Sequence, residues 1–120
     1  MTETNRSNPV IPPYFLRTPR LRFRTWTQAD LPLALSLWGD ENVTKFIDAR
    51  GILTTDQISG KLAIEIQNQQ AYGVQYWPMF LLATGEHVGV CGLRPRDISN
   101  RVYELGVHIR PKFSSPSHIA

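Results

Sequence analysis

Tyr103-Glu104-Leu105-Gly106-Val107-His108-Ile109-Arg110-Pro111-Lys112-Phe113 is the stretch on which the fold turns. Side chains alternate across a strand, so Glu104, Gly106 and His108 share one face and Tyr103, Leu105, Val107 and Ile109 the other. Pro111 lacks an N–H and closes the run. Working backwards, Arg94–Asn100 reads as a polar loop. His87–Leu93 is a strand carrying small residues at Gly89, Cys91 and Gly92, and Gly85-Glu86 supplies the turn before it. Gln75–Thr84 is an apolar strand in which Pro78 fits only near the start or at an edge. Three strands with hairpin-length links predict an antiparallel meander.

Upstream of residue 75 the period changes from two to helical. Thr54-Thr55-Asp56 opens a helix with Ile58, Leu62 and Ile66 on one stripe, fading in Gln67–Gln70 and closed by Gly73. Before it, Thr27–Asp30 has capping spacing and Asp30 is the expected N-cap. Pro32 then falls at the second helical position, where a missing N–H does little harm. Leu31, Leu35 and Trp38 share a face, Gly39 ends the helix, and a loop runs from Asp40 to Leu53. Leu21 and Phe23 alternate with Arg20, Arg22 and Arg24 as in a half-buried strand. Those arginines read as a solvated face or as a contact for phosphate or an acidic partner. Pro9, Pro12 and Pro13 make residues 1–16 an extended lead-in. The expected order is β-α-α-β-β-β: an α+β domain with a largely antiparallel four-stranded sheet and two helices.

The 120 residues suit one domain, and a 42% hydrophobic content fits one with a core. The net charge is +3, too small to argue for nucleic acid, and it is concentrated in residues 1–25, where five Arg face one Glu. No apolar run approaches a membrane span, and the polar, Pro-rich start lacks the apolar segment of a secretory signal. With Cys91 as the sole cysteine there is no intrachain disulfide. A reducing, cytoplasmic setting is the expectation. Three scattered histidines give no metal spacing.

The order of elements and four local motifs resemble the Gcn5-related N-acetyltransferase (GNAT) family, in particular its ribosomal-protein-acetyltransferase-like branch. The motifs are Leu16–Arg24, the Thr27–Leu31 step, Gly89-Val90-Cys91-Gly92-Leu93, and Tyr103–Phe113. The resemblance implies a partial acyl-CoA N-acyltransferase fold over residues 17–113 and transfer of an acetyl group from acetyl-CoA to a primary amine. The acceptor is then a small molecule, a lysine or a protein N-terminus. Backbone groups of Val107, His108 and Ile109 would pair with the pantetheine arm, and Arg110 and Lys112 would meet CoA phosphates. The family's phosphate loop falls on Ser114, Ser117 and Ile119. Ser117 replaces its Gly, and Pro116 removes one N–H from the nest. Residues 114–120 thus read as an irregular tail foreign to the family. The expectation is an acetyltransferase domain truncated after its fourth strand, with impaired activity and an open sheet edge that invites homodimer formation or pairing with another strand.

By its place in the strand Glu104 is the candidate general base; the competing reading is an ion pair with Arg94 or Arg101. His108 is a candidate proton carrier or a structural ring, and His87, in a turn, is expected to be solvated. Tyr76 and Trp77 line an acceptor cleft or pack in the core. Cys91 reads as a small core residue. Two rivals stand beside the enzyme: a non-catalytic binding or regulatory module, and a basic nucleic-acid binder using Arg17, Arg20, Arg22 and Arg24, which lacks any nucleic-acid-binding signature.

Overall fold

The computed structural model describes residues 11–45, 47 and 51–114. The expected lead-in before residue 11 and the tail beyond Ser114 lie outside them. Five strands form one antiparallel sheet in chain order: β1 (Leu16–Arg17), β2 (Leu21–Phe23), β3 (Tyr76–Leu81), β4 (His87–Asp97) and β5 (Val102–Ile109). The expected α+β meander is there, enlarged by the two-residue β1, whose Arg17 lies opposite Arg22.

Helix α1 (Leu31–Trp38) starts at Asp30, carries Pro32 in its first turn and ends at Gly39. Its buried stripe is Ala34, Leu37 and Trp38; Leu31 and Leu35 pack at its margin. The expected loop after Asp40 contains a short helix α2 (Glu41–Thr44), capped by the Asp40 carboxylate accepting from the Asn42 N–H. Helix α3 (Thr55–Tyr72) begins with a capping box between Thr54 and Gln57 and runs through the polar Gln67–Gln70 segment. Gly73 closes it in the left-handed conformation, φ 72°, which costs glycine little.

The helices cover one face of the sheet. Their core joins Trp26, Trp38, Leu53, Ile58, Leu62, Tyr76 and Val90. On the opposite face Leu21, Phe23, Met79, Val88 and Phe113 form a smaller cluster. Strand β4 runs on through Arg94-Pro95-Arg96-Asp97, which the polar composition disguised as a loop. Pro95 stands opposite Tyr103, and the register shifts between Pro95 and Asp97. Pro78 occupies an inner strand. It is tolerated because it lies beyond the β2 pairing, which ends at Phe23 opposite Met79. Its carbonyl still accepts from the Arg24 N–H at 3.3 Å.

The direction of the β5 backbone groups follows from one bond. The Arg110 N–H reaches the Val88 carbonyl on β4. In an antiparallel strand successive residues turn their N–H and C=O to opposite sides. The register is unbroken from Tyr103 to Ile109, so Glu104, Gly106 and His108 turn theirs to β4. Tyr103, Leu105, Val107 and Ile109 turn theirs to the edge. Pro95 confirms the phase, because a residue without an N–H fits opposite Tyr103 only in a pair that exchanges no hydrogen bonds.

Candidate functional site

The helix-covered side of β5 is built around Tyr76. Its ring lies across Gly106, where a Cβ would stand 2.2 Å from the Tyr76 ring. Tyr76 is 3% exposed, and its ring centroid is 5.5 Å from that of His108. The Arg94 guanidinium sits 4.3 Å over the same ring and binds Glu65 at 2.9 Å. The other oxygen of Glu65 accepts the Tyr76 N–H at 2.8 Å. Glu65 is fully buried, seven residues after Ile58 on the inward stripe of α3. Position alone marked it as internal, and its charge hid it. Gln75, also buried, accepts from the Trp26 N–H and donates to the Glu65 carbonyl. These two polar anchors escaped the sequence reading.

Glu104 pairs with an arginine, at 3.1 Å, but the partner is Arg96. Arg94, directly opposite Glu104 in the register, turns to Glu65 instead. The Glu104 side chain remains 45% exposed, and it hydrogen-bonds the Tyr76 hydroxyl. Burial pushes the Tyr76 phenol above its usual range; Arg94 opposes this and the Glu104 and Glu65 charges add to it.

His108 is buried, and its Nδ1 accepts from the Trp38 indole N–H at 3.1 Å. Burial lowers its pKa to about 4, helped by Lys61 and Arg94. The ring is therefore neutral at pH 7 with one nitrogen taken, an arrangement suited to structure more than to carrying a proton. Its backbone groups are also removed from the expected pantetheine set, because they face Val90 on β4. Val107 and Ile109 keep theirs at the outer edge of the sheet formed by the described residues.

Tyr76 and Trp77 lie on opposite faces and do not line one cleft. Trp77 packs beside Phe15 on the far side, its indole donating to Gln69 at 2.8 Å. The expected solvation of His87 is overturned: the ring is 8% exposed, between Phe80 and Trp26. Its Nδ1 accepts from Arg110 at 2.7 Å. Burial, reinforced by Arg110, lowers its pKa to about 3. Burial likewise lowers the Arg110 pKa, against the attraction of Asp40. Lys112 binds Glu86, so both candidate phosphate contacts are engaged within the protein. They border a cleft of about 530 Å³ shared with Ser36, Asp40 and Asn42. The arginine row of β2 is not simply a solvated face either. Arg24 is buried and forks onto both oxygens of Asp30 at 2.9 and 3.0 Å, and Arg22 stacks on Tyr14 at 4.1 Å. Cys91 is half-buried, and burial raises its pKa. No helix among the described residues is long and apolar enough to cross a membrane.

A helix-backed antiparallel meander ending in a strand with a half-free edge is the frame the sequence motifs pointed to. The acetyltransferase (GNAT) domain family matches residues 20–118. The chain belongs to the GNAT family. Solved GNAT structures share its fold. An acetyltransferase from Agrobacterium tumefaciens superposes with a TM-score of 0.70 at 21% identity, over 93% of this chain and 63% of that one. A GNAT acetyltransferase from Bacillus anthracis gives 0.66 at 19%, over 87% and 58%. A ribosomal-protein α-N-acetyltransferase in complex with coenzyme A gives 0.68 at 12%, over 89% and 61%. The chain thus spans about three fifths of the length of these proteins. A search of curated proteins finds no match.

Proposed function

We propose that this GNAT chain takes part in transfer of an acetyl group from acetyl-CoA to a primary amine, along the outer edge of β5. One observation supports this reading beyond family membership: Val107 and Ile109 turn to the sheet edge backbone N–H and C=O groups that no strand pairs among the described residues. Those groups suit the amides of a pantetheine arm, whose thioester the family uses as acetyl donor. Arg110 and Lys112 would have to leave His87 and Glu86 to reach a phosphate. They therefore fit the cofactor less well than the two backbone positions do.

On the acceptor side, the cleft bordered by Ser36, Asp40, Asn42 and Arg110 opens beside the end of β5. Its two carboxylates, Asp40 and Glu86, share it with two cations, Arg110 and Lys112, so an incoming ammonium would have to take over a carboxylate that one of these now neutralises. A protein N-terminus and a polyamine both bring such an ammonium; relatives of the fold include a ribosomal-protein α-N-acetyltransferase and a spermidine N-acetyltransferase from Vibrio cholerae. Glu104 lies six residues before Arg110, about 20 Å along the strand from this cleft, so it would serve as base only for an amine that meets the thioester from the Tyr103 end of β5.

Isothermal titration with acetyl-CoA, followed by assay of released CoA thiol against a panel of amines, tests the reading. Saturable binding near 1:1 and amine-dependent thiol release are expected; Glu104→Gln lowers release and spares binding if the amine approaches from the Tyr103 end of β5, and leaves both intact if the amine sits in the cleft. Absence of acetyl-CoA binding overturns it. A second reading, a non-catalytic binding or regulatory module, is favoured by Pro116 and Ser117 at the positions of the family's phosphate loop, where they weaken a nest for the cofactor's phosphates. A folded chain that does not bind acetyl-CoA would select it.

A further inference from the structure

We propose that the cleft between Arg17 and Arg22 binds a small phosphate monoester, gripped as a dianion by the two guanidinium groups. Strand β1 lies at the opposite end of the sheet from β5, so this site is separate from the acyl-transfer reading and from the last strand. Arg17 stands directly across from Arg22 in the β1–β2 pair, which sets the two side chains on one face with Cβ atoms about 5 Å apart. Like charges so placed repel unless an anion lies between them. The neighbouring sequence supplies none, because residues 4–29 contain no Asp or Glu. Arg24, Arg94, Arg96 and Lys112 each hold a carboxylate. Among the described residues neither Arg17 nor Arg22 does.

The Arg22 side chain is held ready. Its guanidinium stacks on the Tyr14 ring at 4.1 Å and lies beside the Gly85 turn, where a Cβ would come 3.8 Å from its Nη2. Stacking occupies the face of the group and leaves the N–H donors, which lie in its plane, for an oxyanion. The protein does not use them all, since the buried Nε has no partner. Arg17 is exposed and can swing its own fork onto the same ligand. Two guanidinium charges match a phosphate dianion. A carboxylate would leave one of them over, whereas a tetrahedral oxyanion has oxygens enough for both forks. The cleft, about 410 Å³, is walled by Tyr14, Leu16 and Leu82 as well as by the two arginines. It is larger than a phosphate alone, and its apolar walls suit the organic part of an ester.

Isothermal titration with phenyl phosphate, inorganic phosphate and acetate at fixed ionic strength, beside the arginine side-chain N–H signals by NMR, tests the site. Phenyl phosphate is expected to saturate at one site and to bind more tightly than inorganic phosphate, with acetate weakest. It should shift the Arg17 and Arg22 side-chain signals and leave that of Arg96 in place. Arg17→Gln, at an exposed position, keeps the fold and should weaken binding by at least about tenfold; Arg22→Gln should do the same. With no phosphate present, Arg17→Gln should raise the unfolding midpoint in low salt, and less so in high salt, because it removes the repulsion. Phosphate esters that do not saturate overturn the proposal, and so does saturable binding that both variants retain. Equal affinity for inorganic phosphate overturns the ester. A lower midpoint for Arg17→Gln in low salt also overturns the site, since the pair would then already be matched.

Discussion

The two faces of β5 are made from alternate residues of one strand, yet they meet opposite fates. On the helix side His108 and the Tyr76 ring lying over Gly106 are enclosed, with Trp38, Glu65 and Arg94 completing the layer. On the other side Leu105 and Val107 stand in the open. The smaller cluster behind them reaches only to Ile109, Cys91 and Trp77. Enclosure on the first face is achieved with polar partners in place: a buried carboxylate holds a backbone N–H and a guanidinium, and an indole donates to an imidazole. A buried polar group left unpaired is costly, so this face tolerates little change. The bare face has no such constraint.

The sharpest way to break the contrast is Trp38→Ala. Trp38 is fully buried and donates to His108, so denaturant unfolding should show a loss of about 3–5 kcal/mol. Acid comes next. His108 and His87 titrate at about 4 and about 3 in the folded chain, below the value near 6.5 of an exposed histidine. The unfolded chain therefore binds protons first, and stability is intact above about pH 6.5 and falls as the pH drops toward 4 and then 3. Each histidine contributes at most about 1.4 kcal/mol per pH unit across its window. Unfolding midpoints measured from pH 7 to pH 4 should fall, and His108→Phe should flatten the fall. Third, Gly106→Ala drives a methyl group into the Tyr76 ring; calorimetry should register about 1–3 kcal/mol of destabilisation. The smallest effect belongs to the bare face. Leu105→Ser, measured at low concentration, should stay within about 0.5 kcal/mol of the parent. A large loss there would mean that the stripe is covered in solution.

What the sequence disclosed was local. Asp30, Pro32, Gly39, Thr54 and Gly73 all stand at the helix boundaries, marked by chemistry that acts over four residues, although the Asp30 carboxylate turns back to the Thr27 N–H and Arg24 instead of capping α1. The alternation through Tyr103–Ile109 separated the two faces of β5 correctly. Hidden features depend on partners far along the chain. Arg94–Asp97 looked like a loop because a charged run bears no mark of the strand beside it. His87 looked solvated because its cage of Trp26, Phe80 and Arg110 is assembled from three separate segments. The ion-pair reading of Glu104 offers Arg94 or Arg101, but the partner is Arg96, and Arg94 is claimed by Glu65, 29 residues away. The candidate site was legible as a strand and its neighbours; which arginine served which carboxylate was not.

The order of the sheet also bears on how the chain assembles. Strands β3, β4 and β5 are joined by short links and can find one another at small entropic cost. The β2–β3 junction is different, because the Trp26 N–H and the Gln75 side chain meet across 49 residues that include all three helices. Closing that loop is the expensive search in folding. The junction is fastened beside its closing point by side chains as well as by the strand ladder, through the Gln75 amide and the Trp26 indole bond to Tyr76. Gln75 and Trp26 are thus the clasp of a long loop, and the meander is the template on which it shuts.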